Sequence, residues 1–217
     1  NDDDLNLTVT EIADTTKPVV QNARVELSTG VLSINISETV DGTPISLVDN
    51  SKFRIVNDLG SESNLSGSSF AAFDLTVMTF TLTETQRIAA IRFSANMASG
   101  GDGTPATISV ADNAFRDIAQ NLNVEFTQIT LVEVADSIVP GISSLGINYS
   151  TGVLTVIATE THELPLVDPS KMILRKPSGV GAGSISLTGA AVHGTGLAFD
   201  PAFITLTERQ RAVAVAA

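Results

Sequence analysis

The chain repeats itself, and that constrains its fold more than any other feature. The stretch Ser28-Thr29-Gly30-Val31-Leu32-Ser33-Ile34-Asn35-Ile36-Ser37-Glu38-Thr39 returns 122 positions later as Ser150-Thr151-Gly152-Val153-Leu154-Thr155-Val156-Ile157-Ala158-Thr159-Glu160-Thr161, with seven of the twelve residues identical. Leu47-Val48-Asp49-Asn50-Ser51-Lys52 returns as Leu166-Val167-Asp168-Pro169-Ser170-Lys171, and Thr81-Leu82-Thr83-Glu84-Thr85-Gln86-Arg87 as Thr205-Leu206-Thr207-Glu208-Arg209-Gln210-Arg211. These blocks recur at offsets of 119 and 124, so small insertions and deletions fall between them, where loops absorb them. Self-similarity at a long, nearly fixed period marks a chain built from copies of one folding unit.

Ala13-Asp14, with Pro18 four residues after the Asp, matches Ala135-Asp136, with Pro140 again four after. The first repeat therefore spans residues 13–134 and the second 135–217. Residues 5–14 align with residues 127–136, so residues 1–12 read as the last strand of a preceding repeat or as a donor strand. The second repeat stops at the counterpart of about Phe93 and lacks an equivalent of roughly residues 94–134. Missing strands leave core and strand edges open to water, so the expectation is a window on a longer tandem array. Its rival is complementation by a strand from a neighbouring subunit, for which residues 1–12 offer one strand where two are missing. The chain starts at Asn1 with neither a basic nor an apolar leader, which reads as a removed signal or a cut window.

Within a repeat, short alternating runs are broken by turn residues. Val19 to Leu27 leads into Ser28-Thr29-Gly30, where glycine supplies the positive φ of a hairpin turn. Strands are expected over 31–36, 53–56, 73–77, 107–110 and 124–131. The apolar positions change parity near Met78-Thr79, which implies a bulge, a turn or a change of strand there. Thr83-Glu84-Thr85-Gln86 and Thr207-Glu208-Arg209-Gln210 are capping boxes, predicting a short helix over about 84–92 that packs Ile88, Ala89 and Ile91. Arg87 and Arg211 read as a ligand contact or as scaffold residues that ion-pair within this crossover, and duplication favours the scaffold. About seven strands in some 120 residues give an all-β chain of tandem immunoglobulin-like β-sandwich repeats, each with one short helix.

The composition narrows function mainly by exclusion. With 24 Asp and Glu against 12 Lys and Arg, the net charge is −12, which repels nucleic-acid backbones and anionic membranes. No apolar run is long enough to cross a membrane as a helix. Cysteine and Trp are absent and Tyr occurs once, which removes disulfides, thiolate chemistry and most aromatic stacking on sugars.

Catalysis has little to stand on. His162 and His193 have no counterparts in the first repeat, where Val40 stands in place of His162. The Gly-rich stretches 99–103 and 178–183 lack the Lys-Ser/Thr of a phosphate loop and read as turns. No enzymatic role is expected. Carboxylates are the one chemical resource: Glu11 and Asp14 recur as Glu133 and Asp136, and the Asp112 to Asp117 loop is placed to approach that junction. Structural Ca²⁺ at Glu11, Asp14, Glu133 and Asp136 is one reading, and a solvated acidic linker is the other. Asn6, Asn35, Asn64 and Asn148 head Asn-x-Ser/Thr sequons, with Asn64 in the most loop-like context.

The ordered motifs Ala-Asp-x-x-x-Pro, Ser-Thr-Gly-Val-Leu, Glu-Thr, Leu-Val-Asp-x-Ser-Lys and Leu-Thr-Glu-x-Gln-Arg, followed by Asp117-Ile118-Ala119-Gln120-Asn121, resemble the tandem immunoglobulin-like repeats of very large extracellular proteins. Such repeats occur in bacterial adhesins, cyanobacterial cell-surface proteins and giant surface or filament proteins of algae, including flagellar mastigonemes. The resemblance covers nearly the whole chain and consists of scaffold motifs. It implies a structural segment of an extracellular or cell-surface glycoprotein, partnered by neighbouring repeats or identical subunits. An adhesive module that binds a surface glycan or protein in a calcium-dependent way is the alternative. Many such repeats have Asp-Leu-Ala-Gly-Asn where this chain has Asp-Ile-Ala-Gln-Asn.

Overall fold

The computed structural model describes residues 9–71, 73–175, 184–195 and 200–216, and it is mostly β. Asn6 and the 178–183 glycine stretch lie outside the described residues. The chain divides into two compact units, Asn1–Asp136 and Ser137–Ala217.

In the first unit the strands are β1 (Val20–Glu26), β2 (Val31–Ile36), β3 (Phe53–Val56), β4 (Glu62–Asn64), β5 (Ser69–Phe70), β6 (Val77–Thr81), β7 (Thr107–Val110) and β8 (Phe126–Val134). The β1–β2 hairpin closes through Glu26 and Gly30, whose φ of 70° is the left-handed value that the Ser-Thr-Gly turn requires. The strands join in the order β4-β3-β7-β8-β1-β2-β6-β5. β8 holds the two halves together. Its first half runs antiparallel to β7 (Thr107 opposite Thr130), and its second half runs parallel to β1 (Ala23 opposite Leu131, Glu26 opposite Val134). Gln128, at φ 57°, sits where the β7–β8 register shifts, so a bulge turns β8 from one half to the other. The curled sheet is consistent with a β-sandwich type of fold.

The inward faces alternate as the sequence does. Leu32, Ile34 and Ile36 of β2 are buried, as are Met78 and Phe80 of β6. Phe53, Phe80 and Phe115 are fully buried, with the Phe53 ring 4.9 Å from Phe80 and 6.2 Å from Phe115. Each contributes roughly 1.5–3 kcal/mol of transfer free energy. A strand over 73–77 is not found. β6 begins at Val77, and Phe73 and Leu75 are exposed in the connection before it. The parity change therefore marks the start of the strand: the odd-numbered residues belong to the connection and the even-numbered ones to the core face.

Helix α1 (Glu84–Arg92) occupies the predicted residues, with both halves of its capping box made. Its buried face differs from the expected one. Gln86, Arg87 and Ala90 point inward, while Ile88, Ala89 and Ile91 are only half-buried. The polar residues tolerate burial because they are satisfied: Gln86 Nε2 donates to the carbonyls of Asn64 and Ser66 at 2.9 Å each.

The second unit contains β9 (Ile142–Asn148), β10 (Val153–Ala158), β11 (Ile173–Arg175), β12 (Ser184–Ser186), β13 (Ala191–His193), β14 (Ala202–Thr205) and α2 (Glu208–Ala216). Its order β13-β14-β10-β9 matches β5-β6-β2-β1, and the β11–β12 hairpin matches β3–β4. The described residues of this unit include no counterpart of β7 or β8. Its core is correspondingly small, built on Leu154, Val156, Leu187, Ala202, Ile204, Leu206 and Ala214.

Candidate functional site

Two polar constellations stand out in the first unit. One is a buried ion network at the α1 end. Gly30 has no side chain, so the stem of Arg87 crosses the β1–β2 turn within 3.5 Å of where a Cβ would sit. The guanidinium then meets Glu84 in a two-pronged pair, Nε and one terminal nitrogen each at 2.8 Å. Its other terminal nitrogen donates to the Leu27 carbonyl and to Asp136, both at 2.9 Å. Hydrogen bonding to Glu84, with Asp136 adding to it, holds the Arg87 proton far more tightly than usual despite burial. This is the scaffold role: four of the five guanidinium N–H donors are spent on the chain itself. Asp136 thereby fastens the end of the unit to its helix.

The second unit repeats the pair without the third member. Arg211 grips Glu208 at 2.8 and 2.9 Å and donates to the carbonyls of Tyr149 and Ser150 at 3.3 Å. Its side chain is 34% exposed, against 8% for Arg87. The Leu-Val-Asp-x-Ser-Lys motif is also scaffold. Asp49 and Asp168 accept from the backbone N–H of Ser51 and Ser170, capping one 3-10 turn in each unit.

The second constellation is acidic. Asp14 precedes β1, Glu38 follows β2, and Asp117 bridges to Val40. One carboxylate oxygen from each lies within 4.8 Å of the others. Asn121 ties the group together, donating from its backbone and side chain to Asp117 at 2.8 and 2.9 Å and from its side chain to the Asp14 carbonyl at 3.3 Å. Asp117 is almost wholly buried, and Oε2 of Glu38 is buried with no hydrogen-bond partner. Burial pushes the Glu38 carboxyl up, and its contact with Asp117 and the charges of Asp14 and Asp117 push it further. Asp14 is exposed and Glu38 half-buried, and the three together offer oxygen donors of the kind a hard cation takes.

Of the four carboxylates read from sequence, only Asp14 joins this group. Glu11 is exposed on coil. Glu133 accepts from the backbone N–H of Ala95 and Ala106 at 2.9 and 2.8 Å, and Asp136 is held by Arg87. Glu38 was missed, although its recurrence as Glu160 within Ser/Thr-Glu-Thr was a usable signal. Among the sequons, Asn64 ends β4 with both amide atoms engaged, by the Ser51 carbonyl and the Ser66 N–H. Asn35 lies on β2 and donates to Asn22. Asn148 ends β9, exposed, its oxygen accepting from Ser150 and Thr151 N–H. His193 is exposed on β13, and both ring nitrogens of His162 are buried without partners, at the position Val40 fills in the first unit. The Asp117 to Asn121 turn places Gln120 at φ 72°, in the left-handed region that a non-glycine residue rarely adopts.

No helix among the described residues is long and apolar enough to cross a membrane. No protein-family model and no curated protein matches the chain.

Proposed function

We propose that this chain is a structural segment of an extracellular or cell-surface protein, in which immunoglobulin-like β-sandwich units stacked end to end give length and stiffness. The observation that carries the reading is what the two units share. The Gly turn, the Thr/Gln capping box, the Arg–Glu pair and the Asp-capped turn all recur, and each is a device for holding backbone in place. Neither histidine has a counterpart in the first unit, where Val40 stands in place of His162. Duplicated scaffold devices fit a repeat whose product is its own shape. Electron micrographs of the native material test this: regularly spaced rods or fibres are expected, and a monodisperse isolated globule would refute it.

The same reading gives the acidic group a structural part, as a site for a divalent cation, Ca²⁺ by the hardness of its oxygen donors. Asp14, Glu38 and Asp117 would hold it and so pin the segment leading into β1 to the far loop of the unit. The pH dependence has a definite sign. The Glu38 carboxyl is raised in the fold, so its contribution to stability is present below its ordinary range near pH 4.5 and is lost as pH climbs through the folded value. In EDTA, calorimetry should show Glu38→Gln gaining stability relative to the unsubstituted chain as pH rises from 4 to 7, whatever the trend of the unit's ion-paired carboxylates. Ca²⁺ should raise the melting temperature at pH 7 and not at pH 4. An unchanged melting temperature at pH 7 would end the cation assignment.

A further inference from the structure

Asn35, Asn64 and Asn148 each head an Asn-x-Ser/Thr sequon within the described residues, and the fold uses their side-chain amides differently. Attachment of a sugar asks for an Asn Nδ2 that the fold does not need, at a place where a bulky polar group can stand in water. Two of the three fail on both counts. Asn35 is half-buried within the sheet, between Asn22 of β1 and Val77 of β6, and its Nδ2 donates to Asn22 Oδ1 at 2.5 Å. Asn64, with the most loop-like flanks in sequence, is half-buried at the end of β4, and its Nδ2 donates to the Ser51 main-chain carbonyl. A sugar on either nitrogen would displace a hydrogen bond that ties neighbouring segments together.

Asn148 is different. It ends β9 at the turn into β10, and it is exposed. Its oxygen accepts from the Ser150 and Thr151 N–H groups at 2.9 and 3.2 Å, while its Nδ2 donates to nothing among the described residues. The turn is held by other groups. Gly152 N–H donates to the Asn148 carbonyl at 2.8 Å, and Arg211 donates to the carbonyls of Tyr149 and Ser150 at 3.3 Å.

The outward direction of this side chain belongs to the hairpin itself. Glu26 occupies the same position in the first unit, and its side chain is 42% exposed although β8 is paired alongside, with Val134 opposite it. A strand on that edge therefore does not cover the position.

We infer that Asn148 is the one of these three sequons that carries an N-linked glycan. This rests on the extracellular reading above and adds a modification to it. The donor is an oligosaccharide carried on a lipid diphosphate. As the bond from Nδ2 to the sugar C1 forms, the C1–O bond to the diphosphate breaks. The diphosphate leaves with that electron pair, and one Nδ2 proton passes to a base of the transferase. Oδ1 takes no part in the exchange and keeps both of its hydrogen bonds, so the turn survives the modification.

The test uses the full chain, secreted from eukaryotic cells behind a cleaved leader. Enzymatic release of an N-linked glycan leaves aspartate at the modified position, so peptide mapping of the folded, secreted chain reads the sites directly. Aspartate is expected at position 148 and asparagine at positions 35 and 64. Ser150 is exposed, so Ser150→Ala keeps the N–H that the turn uses while removing the sequon hydroxyl, and it should leave position 148 unmodified. Asparagine recovered at position 148 of the unsubstituted chain would overturn the assignment. Modification at position 35 or 64 to the extent found at 148, or a sugar that persists in Ser150→Ala, would overturn it equally. An unmodified Asn148 refutes this site alone, because end-to-end stacking is judged separately, from rods in micrographs of the native material.

Discussion

The two units start from the same strands and end with very different interiors. Ala23 and Leu145 occupy one position, yet the first is fully buried and the second is 56% exposed. Arg87 and Arg211 make the same pair with a glutamate three residues before, yet Glu84 is 11% exposed and Glu208 76%. Among the described residues the first unit has β7, the loop carrying Phe115, β8 and Asp136, and the second unit has no counterpart of them. Together they close the core over β1, and Asp136 turns the Arg–Glu pair into a buried network. Propensity and capping therefore set the elements in both units, but long-range pairing sets the stability.

The sharpest way to break the comparison is at the ion networks. Glu84→Ala leaves Arg87 buried with half its partners and should destabilise the first unit by about 3 kcal/mol. Hydrogen exchange should show faster opening of β1 and β2, while Glu208→Ala should leave β9 and β10 exchanging as before. Equal effects in both units would mean that burial is not what distinguishes them. The paired core positions come next. Ala23→Leu adds bulk at a fully buried site and should cost about 2 kcal/mol. Leu145→Ala, at the same position in the second unit, should shift the denaturation midpoint by less than about 0.5 kcal/mol equivalent. Smallest is Gln120→Gly. It relieves a side chain held at φ 72° and should stabilise the first unit by about 1 kcal/mol in chemical denaturation. A loss of stability there would show that the Gln120 side chain matters more than its backbone.

The devices legible in the sequence were the local ones. The α1 boundaries and the Gly30 turn are written within three or four residues, so a capping box and a single glycine were enough to place them. The inward face of α1 was not legible. Burial of Gln86 and Arg87 depends on carbonyls of Asn64, Ser66 and Leu27, brought from 20 to 60 residues away. The acidic group was legible in part. Repetition pointed to Asp14 and the Asp112 to Asp117 loop to its neighbourhood, and Asp117 does meet Asp14, but Glu38, which follows β2, was not anticipated. Asn123 gave no signal at all, although it is almost wholly buried and its amide meets the Ala114 and Phe115 N–H groups and the Ala111 and Val124 carbonyls. A polar residue satisfied by four backbone groups of one loop looks, in sequence, like any other loop asparagine.

The parallel alignment of β1 and β8 decides how the first unit would carry a mechanical load. The chain enters β1 at Val20 and leaves β8 at Val134, at opposite ends of two neighbouring strands. Tension applied through the two termini of the unit pulls these strands past each other lengthwise. The hydrogen bonds between them lie across the direction of force, so they resist in shear and must yield together. A hairpin pulled from its open end would instead unzip one bond at a time. The strand that closes the core is thus also the one that takes the strain when the unit is stretched.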